Sequence, residues 1–439
     1  MKKKMSARGG SAPAGNYVII GNSASGIAAI GAIRECDKKG KITVISDEPY
    51  FNYSRPLISY LLGKKVKLEA MPCRGEDFYK NNRVKLILNK KATKLDLKQK
   101  TVVLSDKRKI PFDKLLISTG GMPIIPEIKG IDLGGIFTFI KLADVEKIAK
   151  YIKDNKVKEA VVIGGGLIGL KATEALTGLK IKVSVVELAD RILSATFDKR
   201  SSGIIEASLE KVGCKLITNN TVSKIKRKNR KVKQLILKDK KNILTSLVIV
   251  AIGVKPNIEL VKDTPIKINR GILVNNFMET TLKDIYAAGD CCEAKDSLLN
   301  MNRQIAIWPV AMKQGKIAGF NMAGVKKEYQ GSFSMNSVEL CGIPTVSMGE
   351  TCPEGKDYQV LEYLQENKSI YKKIVLKENK IVGAIFVGEI ERAGIYTGLI
   401  KDKIDVSSFK EYLLKEDFGL INLPKELRKH LVEGEVAVI

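Results

Sequence analysis

Histidine is almost missing from this 439-residue chain, which has only His430. One histidine leaves no room for Ser-His-Asp hydrolysis together with His-ligated zinc or most histidine general-base chemistry, and no metal site is expected. The seven cysteines include no C-x-x-C pair; their odd number and irregular spacing read as reduced thiols rather than a disulfide framework. No apolar run approaches the ~18 residues of a membrane helix; Leu247–Val254 is among the longest. The basic start, MKKKMSARGGSAPAG, has no apolar stretch before Tyr17 and does not read as a secretory signal, so a cytoplasmic protein is expected. Acids are scarce beside bases, 48 against 75, for a formal charge of +27. With 44% hydrophobic and 28% charged residues the chain is not disordered, and its length suggests about three domains. An enzyme so poor in histidine and paired thiols needs a cofactor to carry its reaction.

What is present is a strand–turn–helix pattern that occurs twice. Residues Tyr17–Arg34 read YVIIGNSASGIAAIGAIR: apolar residues lead into a small-residue turn, then helical spacing runs through Ile27, Ile30 and Ile33. Residues Ala160–Leu176 repeat it as AVVIGGGLIGLKATEAL, a full G-x-G-x-x-G on Gly164, Gly166 and Gly169, whereas the first copy keeps Gly21 and Gly26 around Ser23. In such a turn the first glycine makes the tight bend, the second admits a pyrophosphate to the backbone, and the third lets helix and strand pack closely. The phosphates then lie on free N–H groups at the positive end of the helix. Serine is small enough to keep the site. Each copy is followed by a strand ending in an acid suited to an adenosine ribose: KITVISDEP with Asp47 and Glu48, and KVSVVELAD with Glu187. Both fit the ~20-residue offset. A single turn is weak evidence; two, each with its acid, imply a chain that binds two dinucleotides.

Phe112–Pro123 (FDKLLISTGGMP) and Leu247–Asn257 (LVIVAIGVKPN) also resemble each other. Each is a buried strand breaking into a glycine turn with proline behind it, expected where the chain leaves each nucleotide domain. Lysine-rich stretches at Val84–Ser105 and Thr221–Leu244 read as hairpins. The second holds ten basic residues and one acid, Asp239, between Lys224 and Lys241, the pattern of a solvated edge guarded by lysines. A later strand, Ile285–Ala288, ends in Gly289-Asp290, a helical stretch begins at Trp308, and from about Phe333 strands predominate before a final helical segment.

Two glycine-rich turns followed in order by S-T-G-G-x-P, G-V-K-P-N and I-Y-A-A-G-D resemble the FAD-dependent pyridine nucleotide–disulfide oxidoreductase superfamily, over nearly the whole chain from about Asn16. The resemblance implies an α/β fold with two Rossmann-like dinucleotide-binding domains, the NAD domain inserted in the FAD domain, plus an α+β C-terminal interface domain. The implied boundaries are 1–142 and 264–332 for the FAD domain, 143–263 for the NAD domain and 333–439 for the interface domain. By position, Gly21, Ser23 and Gly26 would cradle the FAD pyrophosphate, Asp47 or Glu48 would bind its adenosine ribose, and Asp290, after Gly289, would reach the ribityl or phosphate region. Thr119 and Gly120 lie in the shared S-T-G-G, and Gly253 lies in the G-V-K-P-N. The stretch FNYSRPLISYLLG is similar to the rubredoxin reductase, nitrite reductase flavin-module and apoptosis-inducing-factor-like branch, in which an arginine at the Arg55 position contacts FAD.

The departures narrow the chemistry. Disulfide reductases of the superfamily carry C-x-x-x-x-C in the first helix region, and peroxidase and coenzyme A disulfide reductase relatives carry one cysteine after the second strand. Here Ser25–Leu62 contains only Cys36, read as a buried helix cysteine, so electrons must leave directly from the flavin. In apoptosis-inducing-factor-like relatives a lysine and a glutamate pair near the reactive ring at the positions of Tyr60 and Lys171. This chain either rebuilds that pair with one positive charge or turns Lys171 elsewhere; a lysine at the flavin would favour its anionic reduced ring by Coulomb attraction. Cys291-Cys292, directly after Gly289-Asp290, is read as packing.

The function expected is therefore NADH:acceptor oxidoreduction through FAD, with a small acidic iron–sulfur protein such as rubredoxin or ferredoxin as acceptor. Glu187 would bond both ribose hydroxyls and repel a 2′-phosphate, favouring NADH, although Lys182 and Arg191 are nearby. The rival readings are an NADH oxidase or small-molecule reductase and a flavin subunit of a larger redox complex; homodimerisation stays open. Nucleic-acid binding rests on charge alone, since no recognised module is present.

Overall fold

The computed structural model describes residues 15–432; the basic start through Ala14 and the His430 side chain lie outside what is described. The chain forms two compact units. One takes the residues up to Ser54, Glu69–Met122 and Val254–Ser332; the other takes Arg55–Leu68, Pro123–Gly253 and the residues from Phe333 on. The chain thus crosses between units inside the two look-alike segments, after Met122 and after Gly253.

The first unit is built on a parallel five-stranded sheet in the order Ile285–Ala287, Lys114–Ile117, Asn16–Ile20, Lys41–Ile45 and Val84–Ile87. Its strands are short continuous apolar runs because both faces are covered, as parallel sheets require. Val18, Ile19, Val44, Leu115, Leu116 and Ile117 are fully buried, each contributing about 1.5–3 kcal/mol. Ile30 and Ile33 of helix Ala24–Cys36 pack on them. Helix Trp308–Met322, which starts with proline in its first turn, lies against that helix with glycines at the contact. A Cβ on Gly315 would collide with Ser25 O, and one on Gly319 would come within 2.6 Å of Ala29 O.

Sequence periodicity misplaces two features here. Val84–Ile87 is the outermost parallel strand rather than part of a hairpin, which begins only at Ala92–Asp96 and continues through Thr101–Leu104 and Lys109–Pro111. Pairing with Lys41–Ile45 buries Ile87 in a way its own lysine-rich neighbourhood does not announce. Cys36 is exposed rather than buried: it is the last residue of its helix, and Asp37 turns to extended backbone (φ −115°, ψ 100°), so no further turn covers it.

The second unit contains another parallel sheet, in the order Lys215–Ile217, Lys182–Val186, Glu159–Ile163, Leu247–Val250 and Ile136–Thr138. Helix Leu167–Gly178 follows its glycine-rich turn and buries Leu170, Ala172, Ala175 and Leu176. A three-stranded antiparallel sheet, Val222–Lys228, Lys231–Leu237 and Asn242–Leu244, packs on the parallel sheet through Ile225, Val232, Leu235 and Leu237, against Val161, Ile163, Val186, Val248 and Val250. From Met335 the chain forms a five-stranded antiparallel sheet, in the order Met335–Leu340, Ile343–Gly349, Lys380–Val387, Ile370–Lys377 and Tyr358–Gln365, followed by helix Ala393–Lys401. Among the described residues no helix is long and apolar enough to cross a membrane.

Candidate functional site

The first glycine-rich turn joins strand Asn16–Ile20 to helix Ala24–Cys36. Gly21 has φ +116°, and a Cβ there would collide with Ser118 O; a Cβ on Gly26 would collide with Gly21 O. Both positions therefore demand glycine, one for conformation and one for close approach. Ser23 occupies the helix N-cap with extended backbone. The two candidate acids differ in setting: Asp47 is exposed, while Glu48 is buried and accepts the Tyr53 hydroxyl at 2.7 Å. Thr119 Oγ1 donates to Asn257 O at 2.7 Å, and Gly120 has φ +69°. Gly289 (φ +83°) donates its N–H to Gln314 Oε1 at 2.8 Å, and the backbone carbonyl of Asp290 accepts from Gln304 Nε2 at 2.7 Å.

Three side chains that sequence reasoning missed line this turn. Tyr79 donates its hydroxyl to Asn22 Oδ1 at 2.8 Å, and Asn52 Nδ2 donates to Asn22 O at 3.2 Å. Asn22 Nδ2 and Asn52 Oδ1 are nevertheless buried without a hydrogen-bond partner, a costly state that a polar ligand relieves. Asn22 sits inside the turn and could have been noticed. Asn52 and Tyr79 arrive from distant sequence, with no local signal.

The second turn repeats the geometry in the second unit. Gly164 has φ +109°, a Cβ there would collide with Ala251 O, and a Cβ on Gly169 would collide with Gly164 O. Gly166 caps helix Leu167–Gly178, and a Cβ there would meet nothing within 4 Å, so the space beside the backbone is open. Glu187 is half-buried at the end of strand Lys182–Val186; its carboxylate accepts the N–H of Gly165 at 2.5 Å and of Ala189 at 2.8 Å. Leu193, in the left-handed region (φ +55°), donates its N–H to Gly165 O at 2.9 Å. Arg191 pairs with Asp190 at 2.8 Å, which reduces its availability to a 2′-phosphate. Gly253 has φ +124°, and its carbonyl accepts the Ile124 N–H at 2.9 Å. The open cradle and oriented carboxylate fit a dinucleotide, as the glycine-only backbone and unpartnered amide atoms of the first turn do.

Tyr60 and Lys171 come together in the second unit. Lys171 Nζ lies 4.4 Å from the centroid of the Tyr60 ring and 3.4 Å from its hydroxyl, and it donates to Glu339 O at 3.2 Å. Glu174, one helical turn on, pairs with Lys171 at 2.5 Å and with Lys65 at 2.9 Å. Burial opposes ionisation of Glu174, but the two ammonium groups outweigh it and hold the carboxyl below its usual range. The cluster joins two lysines to one glutamate beside the Tyr60 ring. Arg55 is half-buried in the same unit and donates to Ile140 O at 3.0 Å.

The thiols are placed for packing. Cys291 Sγ donates to Ile117 O at 3.4 Å and Cys292 Sγ to Gly289 O at 3.3 Å, both fully buried. Burial pushes both thiols up, away from the reactive thiolate.

Comparison with known proteins agrees with this layout. Residues 15–315 match the family model described as pyridine nucleotide-disulphide oxidoreductase, and residues 335–404 match the rubredoxin NAD+ reductase C-terminal domain. The chain is 33% identical over 394 residues to nitrite reductase [NAD(P)H] of Bacillus subtilis (strain 168), covering 89% of this chain but 48% of that protein; it spans about half the length of that relative. It is 32% identical over 377 residues to NADH-rubredoxin oxidoreductase of Clostridium acetobutylicum, covering 85% and 91% of the two chains. Among solved structures, the NAD-dependent persulfide reductase from A. fulgidus aligns with a TM-score of 0.83 at 27% identity, covering 90% of this chain and 78% of the other. The chain belongs to the pyridine nucleotide–disulphide oxidoreductase family, which uses FAD and NAD(P)H.

Proposed function

We propose that this chain carries electrons from NADH through FAD directly to a small iron–sulfur protein of the rubredoxin or ferredoxin type. One observation carries the reading: two glycine-rich turns are built for nucleotides, while Cys291 and Cys292 are buried as protonated thiols and Cys36 sits at the far end of its helix. The similarity to a protein named NADH-rubredoxin oxidoreductase supports the acceptor class. The bound cofactors supply the hydride and electron chemistry; the chain binds and orients.

In this reading the first unit is the FAD domain. Gly21, Ser23, Gly26 and Asn22 hold the pyrophosphate, Asp47 or Glu48 the adenosine ribose, and Thr119, Gly120, Gly289 and Asp290 the rest of FAD, with Arg55 as a further contact. Gly164, Gly166, Gly169 and Gly253 form the NADH site, and Glu187 selects against a 2′-phosphate. Lys171, held over Tyr60 by Glu174, sets the charge beside the flavin. Residues from Phe333 form the interface domain, and seven free thiols suit a cytoplasmic location. Anaerobic NADH oxidation with purified rubredoxin tests the function: stoichiometric bleaching of the oxidised rubredoxin spectrum is expected. Rubredoxin left untouched there, with oxygen reduced by NADH when the assay is repeated under air, would replace this reading with the NADH oxidase.

A further inference from the structure

We propose that the basic three-stranded sheet of residues 221–244 is a docking platform for an acidic protein. The identity of the probe below rests on the acceptor reading above; the surface itself does not.

One face of this sheet is spent on the core. Val222, Ile225, Val232, Leu235 and Leu237 are buried, packed against Ile128, Ile131 and Leu133. The platform is stitched down at its tip as well: Gly134 donates its N–H to Arg230 O at 3.0 Å, and Val232 donates to Gly134 O at 2.9 Å. The other face is open. Across its three strands, Lys226 lies opposite Gln234 and Gln234 opposite Leu244, while Lys224 lies opposite Ile236 and Ile236 opposite Asn242. Leu244 is 61% exposed and Ile236 is half-buried. Two apolar side chains thus lie among cations, the arrangement of a protein interface with an apolar centre and a polar rim.

The charge is concentrated beyond what solubility needs. All ten basic residues between Lys224 and Lys241 are exposed, and among the described residues only Lys241 has an ion-pair partner, Asp239 at 3.1 Å. A soluble surface is served by interspersed signs; here one sign fills the hairpin. Lys228 stands directly opposite Lys231, a destabilising like-charge pair. At the turn, Asn229 and Arg230 have φ +50° and +60°, and an arginine occupies the position where such hairpins favour glycine. An acidic partner relieves the repulsion that these residues create. Nucleic acid is the poorer occupant, because the stretch 221–244 contains no aromatic side chain on which bases could stack and a phosphate backbone gains nothing from Leu244.

The test uses the full-length holoprotein and zinc-substituted rubredoxin, an acidic probe that binds without accepting electrons. The triple variant K226E/K228E/R230E should weaken its binding at least tenfold more than K94E/K98E/K107E, which makes the same charge change on the antiparallel sheet of the first unit. L244S should weaken binding several-fold without changing the salt dependence. NADH-to-dye activity should be unchanged in all three. No binding by wild type, equal losses in the two triples, an unaffected L244S, or hairpin-dependent binding of a 20-bp DNA duplex tighter than rubredoxin would each overturn the proposal. Reduction of iron rubredoxin by wild type is read separately: hairpin-dependent binding without reduction keeps the platform and removes the acceptor assignment.

Discussion

The two glycine-rich turns share a backbone and differ in what surrounds it. In the first, side chains close in: Asn22, Asn52 and Tyr79 converge on the turn, and two amide atoms are left buried and unpartnered. In the second, the backbone does the work: Gly166 borders open space, and the carboxylate of Glu187 is aimed by two main-chain N–H groups. On the proposed reading, the first site retains its nucleotide and invests specific side chains in it. The second exchanges its nucleotide every turnover and offers mostly backbone.

The contrast breaks most sharply at the third glycines. Gly26→Val and Gly169→Val both force a side chain into a carbonyl, at about 1–3 kcal/mol of overpacking. The first should yield protein without the yellow absorbance of bound flavin. The second should stay yellow yet fail to oxidise NADH. Flavin-to-protein ratios and NADH–dye kinetics read the two outcomes, and identical losses would erase the division between sites. Next is Glu187. Removing its charge with Glu187→Gln weakens hydrogen bonds to a charged acceptor worth about 1.5–3 kcal/mol, so NADH kcat/KM should fall about tenfold to a hundredfold while NADPH improves. Equal use of the two nucleotides by wild type would sink the assignment.

The unpartnered amides sharpen the comparison differently. Asn52→Ala removes one unsatisfied buried oxygen and one hydrogen bond, to Asn22 O, so the flavin-free protein should change little in stability while flavin affinity drops about tenfold. Thermal melting with and without added FAD distinguishes this from general damage. The second helix also carries an acid-sensitive cluster. Glu174 has a folded-state pKa below its unfolded value, so its contribution is present above about pH 4 and is lost as pH falls through the lowered value. Glu174→Gln should therefore lower the melting temperature at pH 7, and the gap to wild type should close toward pH 3. The smallest effect belongs to the middle position: Gly166→Ser, which makes the second turn like the first, should raise KM for NADH several-fold with kcat kept.

The parts legible in the sequence are those governed by neighbours along the chain. The glycine spacing, the acid offset and the strand before each turn are local, and the structure places them as expected, with Gly21 and Gly164 at positive φ. What escaped depends on distant partners. Val84–Ile87 became a parallel strand through residues more than forty positions away, Asn52 and Tyr79 reach the first turn from distant sequence, and Lys171 meets Tyr60 and the Glu339 carbonyl from far along the chain. Cys36 escaped for the opposite reason: the helix ended where periodicity would have continued it.

The packing of Trp308–Met322 on Ala24–Cys36 has a consequence for how this chain is made. Strand Ile285–Ala287 and that glycine-lined helix are late in the sequence, yet they complete the sheet that Asn16–Ile20 begins. The second parallel sheet has every strand in hand by Val250. As the chain leaves the ribosome, the parallel sheet started first is therefore the later of the two to be finished, and strand Lys114–Ile117 must wait, unpaired at one edge, for more than 150 residues of translation.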